Sequence, residues 1–203
     1  MEGDGAQEAE PHYGANYWND WEKPASISLF ESEGGGFSAN CGIRIFGYYS
    51  RAEAKKSLAC FFRDSYGDGE ITYPLFGEDS LDTYESFILR SSGQDVFTAR
   101  MRDVLITSLV SDHTDVPVQD YRPVVVYLNG EYWGLHYIRE KLNIHYVAGH
   151  YNMDPEEVQP SVLDAFQDSR YTALRSFVMR NDMSDPENYA YVCSQMDIDN
   201  YID

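Results

Sequence analysis

Positive charge is scarce in this sequence. Fifteen lysines and arginines stand against 34 aspartates and glutamates, for a formal net charge of −19. Without a net positive field a chain does not hold a polyphosphate backbone, which argues against nucleic acid as a partner. Cysteine is scarcer still: Cys41, Cys60 and Cys193, an odd number with no CxxC pair, so a full disulfide framework is excluded. No apolar run approaches the roughly 18–20 residues needed for a membrane span. The N-terminus lacks a basic stretch followed by an apolar one, so no signal peptide is expected. GxSxG, HExxH and GxxxxGK[ST] are all missing, and there is no internal repeat. His145 and His150 are five apart, a poor spacing for shared metal ligation on a helix. Asp64, Asp68 and Glu70 imitate a calcium loop, but Tyr66 stands at a ligand position. No metal ligands are assigned.

What is present describes a folded chain. At 203 residues, with 43% hydrophobic and 15% aromatic content, it is large enough for one substantial core or two small lobes. The charge is unevenly spread. Residues 1–33 carry one base and eight acids, and residues 152–203 carry three bases and eleven acids. Residues 34–151 hold eleven bases against fifteen acids, so most cations lie in the middle of the chain. Residues 1–15, small, acidic and punctuated by Gly and Pro, read as a flexible tail.

Alternation then gives strands at Ser26–Phe30, Cys41–Tyr49, Ser57–Arg63 and Phe87–Arg90, with glycine turns at Glu33–Gly36 and Tyr66–Gly69. Cys41 and Cys60 fall in or beside strands, where buried free thiols are expected. Met101, Val104, Leu105, Ile106 and Leu109 place an apolar stripe at helical spacing, predicting a helix over Thr98–Val110 capped by Thr98. Val124–Leu128 and Tyr132–Ile138 flank Asn129-Gly130, the strongest short hairpin signal. Helices follow over Leu142–Tyr151, around Tyr171–Val178, around Tyr189–Met196 after Pro186, and from Asp197, with a polar linker at Asn152–Gln159. Strands, one helix, a hairpin and then helices make an α+β chain.

Particular residues sharpen this. NYWNDWEKP (16–24), GIRIFGYYSR (42–51), KKSL (55–58), YPLF (73–76), LRSSGQD (89–95) with Arg102-Asp103, and PVVVYLNGEYWGLHYIREK (123–141) occur in this order. Together they resemble the CotH family, the spore-coat-protein-H type of atypical protein kinase, over roughly Asn16 to the chain end. The resemblance implies a protein-kinase-like fold. Residues 16–138 would form the β-rich small lobe with one helix, and 139–203 the hinge and first helices of the large lobe. It implies ATP with Mg or Mn as cofactor, and transfer of the γ-phosphate to Ser or Thr of proteins in spore coats or at cell surfaces. In the family the catalytic and metal-binding acids follow the helix beginning near Asp197. The chain is therefore expected to be a fragment with little phosphotransferase activity alone. A non-catalytic surface adhesion module with a kinase-like fold is the alternative.

The resemblance also gives candidate site residues. Arg51, Lys55 and Lys56, at the turn between two strands, are either solvated turn charges or the cations beside the ATP phosphates. Arg90, Asp95, Arg102 and Asp103 either orient a phosphate-binding lysine or form a structural ion-pair network between strand and helix. At the hinge, His136 or Tyr137 stacks on adenine or packs in the core, and Glu140 presents backbone groups to the base.

Overall fold

The computed structural model describes residues 6–78, 80–159 and 168–203. Among these residues eight strands form: β1 (Lys23–Phe30), β2 (Gly36–Phe46), β3 (Ser57–Phe61), β4 (Ile71–Thr72), β5 (Thr83–Tyr84), β6 (Ser86–Arg90), β7 (Tyr121–Leu128) and β8 (Glu131–Glu140). The described residues also hold five helices: α1 (Arg102–His113), α2 (Ile144–Tyr151), α3 (Ser169–Arg180), α4 (Pro186–Gln195) and α5 (Ile198–Ile202). The chain divides into two compact units. One holds residues up to Leu105 together with Gln119–Lys141; the other holds Ile106–Val118 with Leu142–Asp203.

The first unit is built on a curled six-stranded sheet in the order β1-β2-β3-β6-β8-β7, antiparallel at every pairing. Successive side chains on a strand point to opposite faces, so the sequence alternation sorts the residues. Ala25, Ile27 and Leu29, then Cys41 and Ile43, Leu58 and Cys60, Phe87 and Leu89, Ile138, and Val124 and Val126 share the core face. The two-residue strands β4 and β5 pair with each other and add Ile71 and Tyr84, with Leu75 between them, to the same core. Phe62 lies 5.6 Å from Phe87, and Tyr84 meets Phe76 edge-on at 5.6 Å. Burial pushes the Tyr84 hydroxyl up to about 12. Cys41 and Cys60 are buried free thiols, as the strand pattern implied.

The β7–β8 hairpin turns at Asn129-Gly130, both with positive φ (52° and 84°), the conformation that lets a two-residue loop match the strand twist. The start of the chain differs from the tail expected of residues 1–15. Residues 1–5 lie outside the described residues. In 6–15, Ala15 is fully buried, and the Tyr17 hydroxyl and Trp18 indole both donate to the Pro11 carbonyl.

Element boundaries also shift. β2 runs Gly36–Phe46 and stops at Gly47, whose φ of 119° breaks the strand. The strand expected to reach Tyr49 therefore ends three residues early, and a 3-10 turn at Tyr49–Arg51 follows. α1 begins at Arg102, not near Thr98. A 3-10 turn occupies Gly93–Phe97, and the cap is Asp95, whose carboxylate accepts from the Arg102 amide at 3.1 Å. Thr98 instead donates its hydroxyl to Asp95. The stripe read on α1 is not a core face: Met101, Leu105 and Leu109 are each about half exposed, and Val104 is the one described α1 residue that is buried.

In the second unit α4 starts at Pro186 and α5 directly after Asp197, as the sequence implied. Asn143, Asp168, Asp185 and Asp197 each accept a hydrogen bond from an amide in the first turn of α2, α3, α4 and α5. Asn152–Gln159 holds a 3-10 turn at Pro155–Glu157. Phe177 and Tyr191 join α3 to α4 with ring centroids 4.4 Å apart.

Candidate functional site

The face of the sheet opposite the core carries the polar chemistry. Register puts Arg44, Ala59, Ile88, Arg139 and Tyr121 in one row across it, with Phe61 one step along β3 beside Gly42. Three cations converge on the Phe61 ring. The Arg44 guanidinium lies 5.2 Å from its centroid, Arg63 at 5.0 Å and the Lys141 ammonium at 5.6 Å. An aromatic face attracts cations through its quadrupole, and three on one ring leave a local excess of positive charge.

That excess is only partly neutralised. Arg63 makes a two-pronged pair with Glu22, Nε to Oε1 at 2.8 Å and Nη2 to Oε2 at 3.0 Å. The pair holds the Glu22 carboxyl below its usual range and raises Arg63. Asp20 also feels Arg44, but its carboxylate is bonded to Arg51 at 2.6 Å. The Arg44 Nε is buried with no hydrogen-bond partner among the described residues. Lys141 is half-buried; burial first, then Arg44 and Arg63, push its ammonium down. A donor without an acceptor next to a destabilised ammonium is an arrangement that an anion would complete.

The cations expected at the phosphates, Arg51, Lys55 and Lys56, are directed at the chain's own carbonyls. Arg51 donates to Gly47 O at 2.7 Å and Trp18 O at 3.1 Å besides its pair with Asp20, and so fastens the segment before β1 to the turn after β2. Lys56 donates to Arg51 O and Glu53 O at 2.5 and 2.6 Å, and lies 4.1 Å over the Tyr17 ring. Lys55 donates to Leu135 O on β8. Burial lowers the pKa of both lysines.

The second constellation is an ion-pair network between strands and helix. Asp103 on α1 sits 2.6 Å from Arg90 on β6 and 2.6 Å from Arg139 on β8. Asp95 pairs with Arg102 at 3.3 Å. Asp103 thus serves two arginines at once. Arg139, which the sequence did not single out, is the better buried of the two, with 4% of its side chain exposed.

The hinge candidates lie deeper than expected. His136 is fully buried, so in this conformation its ring offers no face to a ligand. Glu140 is also buried, accepting from the Asp120 amide at 2.9 Å and, through its carbonyl, from Gln119 at 2.5 Å. Tyr137 is partly buried and meets Tyr121 edge-on at 6.2 Å. The His136 ring nitrogens face two carbonyls, Gly134 O at 3.3 Å and Lys56 O at 3.2 Å. A neutral ring can donate to only one of them. Burial nevertheless outweighs both carbonyls and lowers the pKa.

The folded state binds this proton less readily than the unfolded state, so the contribution is complete above the unfolded histidine value of about 6.5 and declines as pH falls below it. Urea midpoints between pH 8 and pH 5 should fall for the wild type and fall less for His136→Gln. Parallel profiles would refute the assignment.

Sequence reading missed Arg44, Phe61 and Arg63 as a group. The available signal was parity: Arg44 lies out of phase with Cys41 and Ile43, and Phe61 out of phase with Leu58 and Cys60. No curated protein matches the chain. A family model, described as CotH kinase protein, matches residues 43–203.

Proposed function

Since the chain belongs to the CotH kinase protein family, we propose that its sheet-bearing unit is the nucleotide-facing lobe of an ATP-dependent protein Ser/Thr phosphotransferase with a kinase-like fold. Its acceptors are Ser/Thr-rich proteins of a spore coat or cell surface. The observation that supports this most is the convergence of Arg44, Arg63 and Lys141 on Phe61. Phosphoryl transfer is chiefly positioning and electrostatic stabilisation of the transferring group, so cations at the phosphates are the first requirement. Arg44 brings an unused buried donor, Lys141 a charge that an anion would stabilise, and Arg63 a guanidinium already oriented by Glu22. ATP supplies the γ-phosphoryl group. The chain's own residues hold its phosphates on the sheet face and orient them for the acceptor hydroxyl.

A divalent metal fits less well. Among the described residues no three His, Cys, Asp or Glu side chains gather to hold Mg or Mn. No described helix is long and apolar enough to cross a membrane.

Calorimetry with ATP, alone and with Mn²⁺, tests the assignment. Arg44→Ala and Lys141→Ala should each weaken binding by about tenfold, the loss of one charge-assisted bond. The pair Lys55→Ala/Lys56→Ala should leave affinity within about twofold once folding is verified. The reverse pattern would move the phosphates to the turn before β3. No binding by the wild type would favour the adhesion module instead.

A further inference from the structure

The interior of the curled sheet is not filled. A cavity of about 170 Å³ lies inside it, lined by apolar side chains that include Ile27, Leu29, Leu58, Phe87, Val124 and Val126. Its position follows from the topology. β1 and β7 are the two ends of the strand order, and among the described residues no pairing joins them. They nevertheless face each other. Arg122 at the start of β7 pairs with Glu31 just beyond β1, and Tyr73 donates to the same carboxylate at 2.6 Å. An outer depression of about 610 Å³ runs along the same seam, and Ser26, Ser28, Val125 and Tyr127 line both spaces. The seam between the sheet edges is therefore the mouth of the cavity.

The chemistry of the lining selects the occupant. A buried water needs two to four polar partners, whereas a closed apolar cavity of roughly 150 Å³ stays dry and takes up benzene or xenon. The two serine hydroxyls shared by both spaces are already committed: Ser26 donates to Asn40 at 2.6 Å, and Ser28 and Ser38 share a bond at 2.7 Å. The core-facing residues of the edge strands, Ile27, Leu29, Val124 and Val126, are only partly buried although they point inward. An apolar guest would finish their burial. Because no ladder bonds join β1 to β7, entry between them breaks no strand pairing; the Arg122–Glu31 pair ties one end alone.

We infer that this cavity is a binding site for one small apolar molecule, the size of benzene or a six-carbon chain, admitted between the edges of β1 and β7. It is separate from the cation cluster, which lies on the opposite face of the sheet.

Benzene is the probe. Titrated into methyl-labelled protein, it should shift the methyl signals of Ile27, Leu29, Leu58, Val124 and Val126 with one saturable isotherm, and should raise Tm. Val126→Phe, which places a ring in the space, should weaken binding at least tenfold and abolish the rise in Tm. Leu58→Phe fills the cavity from the opposite strand and serves if Val126→Phe does not fold. Shifts that do not saturate, that scatter over surface methyls, or that persist unchanged in a folded filled variant would overturn the inference.

Discussion

Asp103→Ala is expected to destabilise the protein by about 2–4 kcal/mol, far more than loss of an ordinary surface ion pair. The carboxylate lies 2.6 Å from both Arg90 and Arg139. The Arg139 side chain is only 4% exposed, so solvent cannot replace the lost charge there. Arg139 also donates Nη2 to Gln119 O at 3.3 Å, a long bond for a charged donor. Removing one member of a buried pair costs about 3–5 kcal/mol because it strands the other. Asp103 itself is 39% exposed, which lowers the expectation. Urea unfolding at neutral pH measures the loss. Asp103→Asn, which keeps an acceptor but not the charge, should fall between wild type and alanine. In Arg139→Met the same Asp103→Ala change should cost much less. A loss below about 0.5 kcal/mol would mean that the network behaves as a surface pair.

This network also shows how far the sequence could be read. Arg90, Asp103 and the helix between strand and hairpin were all legible, because alternation and helical spacing are local signals. The choice between orienting a lysine and bracing the sheet was not. It depended on Arg139, whose position beside Ile88 is set by a pairing across about 50 residues. The same limit explains the cation cluster. Arg44, Arg63 and Lys141 come from β2, the end of β3 and the end of β8, and only the strand order brings them to Phe61. Arg51, Lys55 and Lys56 attracted notice through their turn, a local feature. Yet turns also expose carbonyls, and those carbonyls take donors of Arg51 and Lys56, while Lys55 reaches Leu135 O on β8. The start of α1 failed for a related reason. Thr98 and Asp95 are both capping residues, and the 3-10 turn Gly93–Phe97, which holds Asp95 and ends before Thr98, leaves the Asp95 carboxylate at the Arg102 amide.

Phe87→Ala should be the most damaging single truncation in the core, at about 3–5 kcal/mol. The ring is 1% exposed, packs against Phe62 at 5.6 Å, and lies at the centre of the sheet on β6, between Cys60 of β3 and Glu140 of β8. Truncation costs the transfer of the lost carbons plus a penalty that grows with the void left behind, and the spread reflects how well the surroundings collapse. Collapse is unfavourable here. Phe87 already lines the 170 Å³ cavity, so its removal enlarges an existing void instead of opening one that neighbours could close. Leu75, fully buried but not among the lining residues, provides the contrast. Leu75→Ala should lie nearer the lower end of the 2–5 kcal/mol range for aliphatic truncation. Chemical denaturation of the two variants decides the ordering, and benzene adds a second criterion. A larger apolar void should take up the ligand better, so benzene should restore more stability to Phe87→Ala than to Leu75→Ala. Equal losses with no benzene effect on either would mean that the sheet closes over its interior, and the cavity could not then be the determinant of core stability.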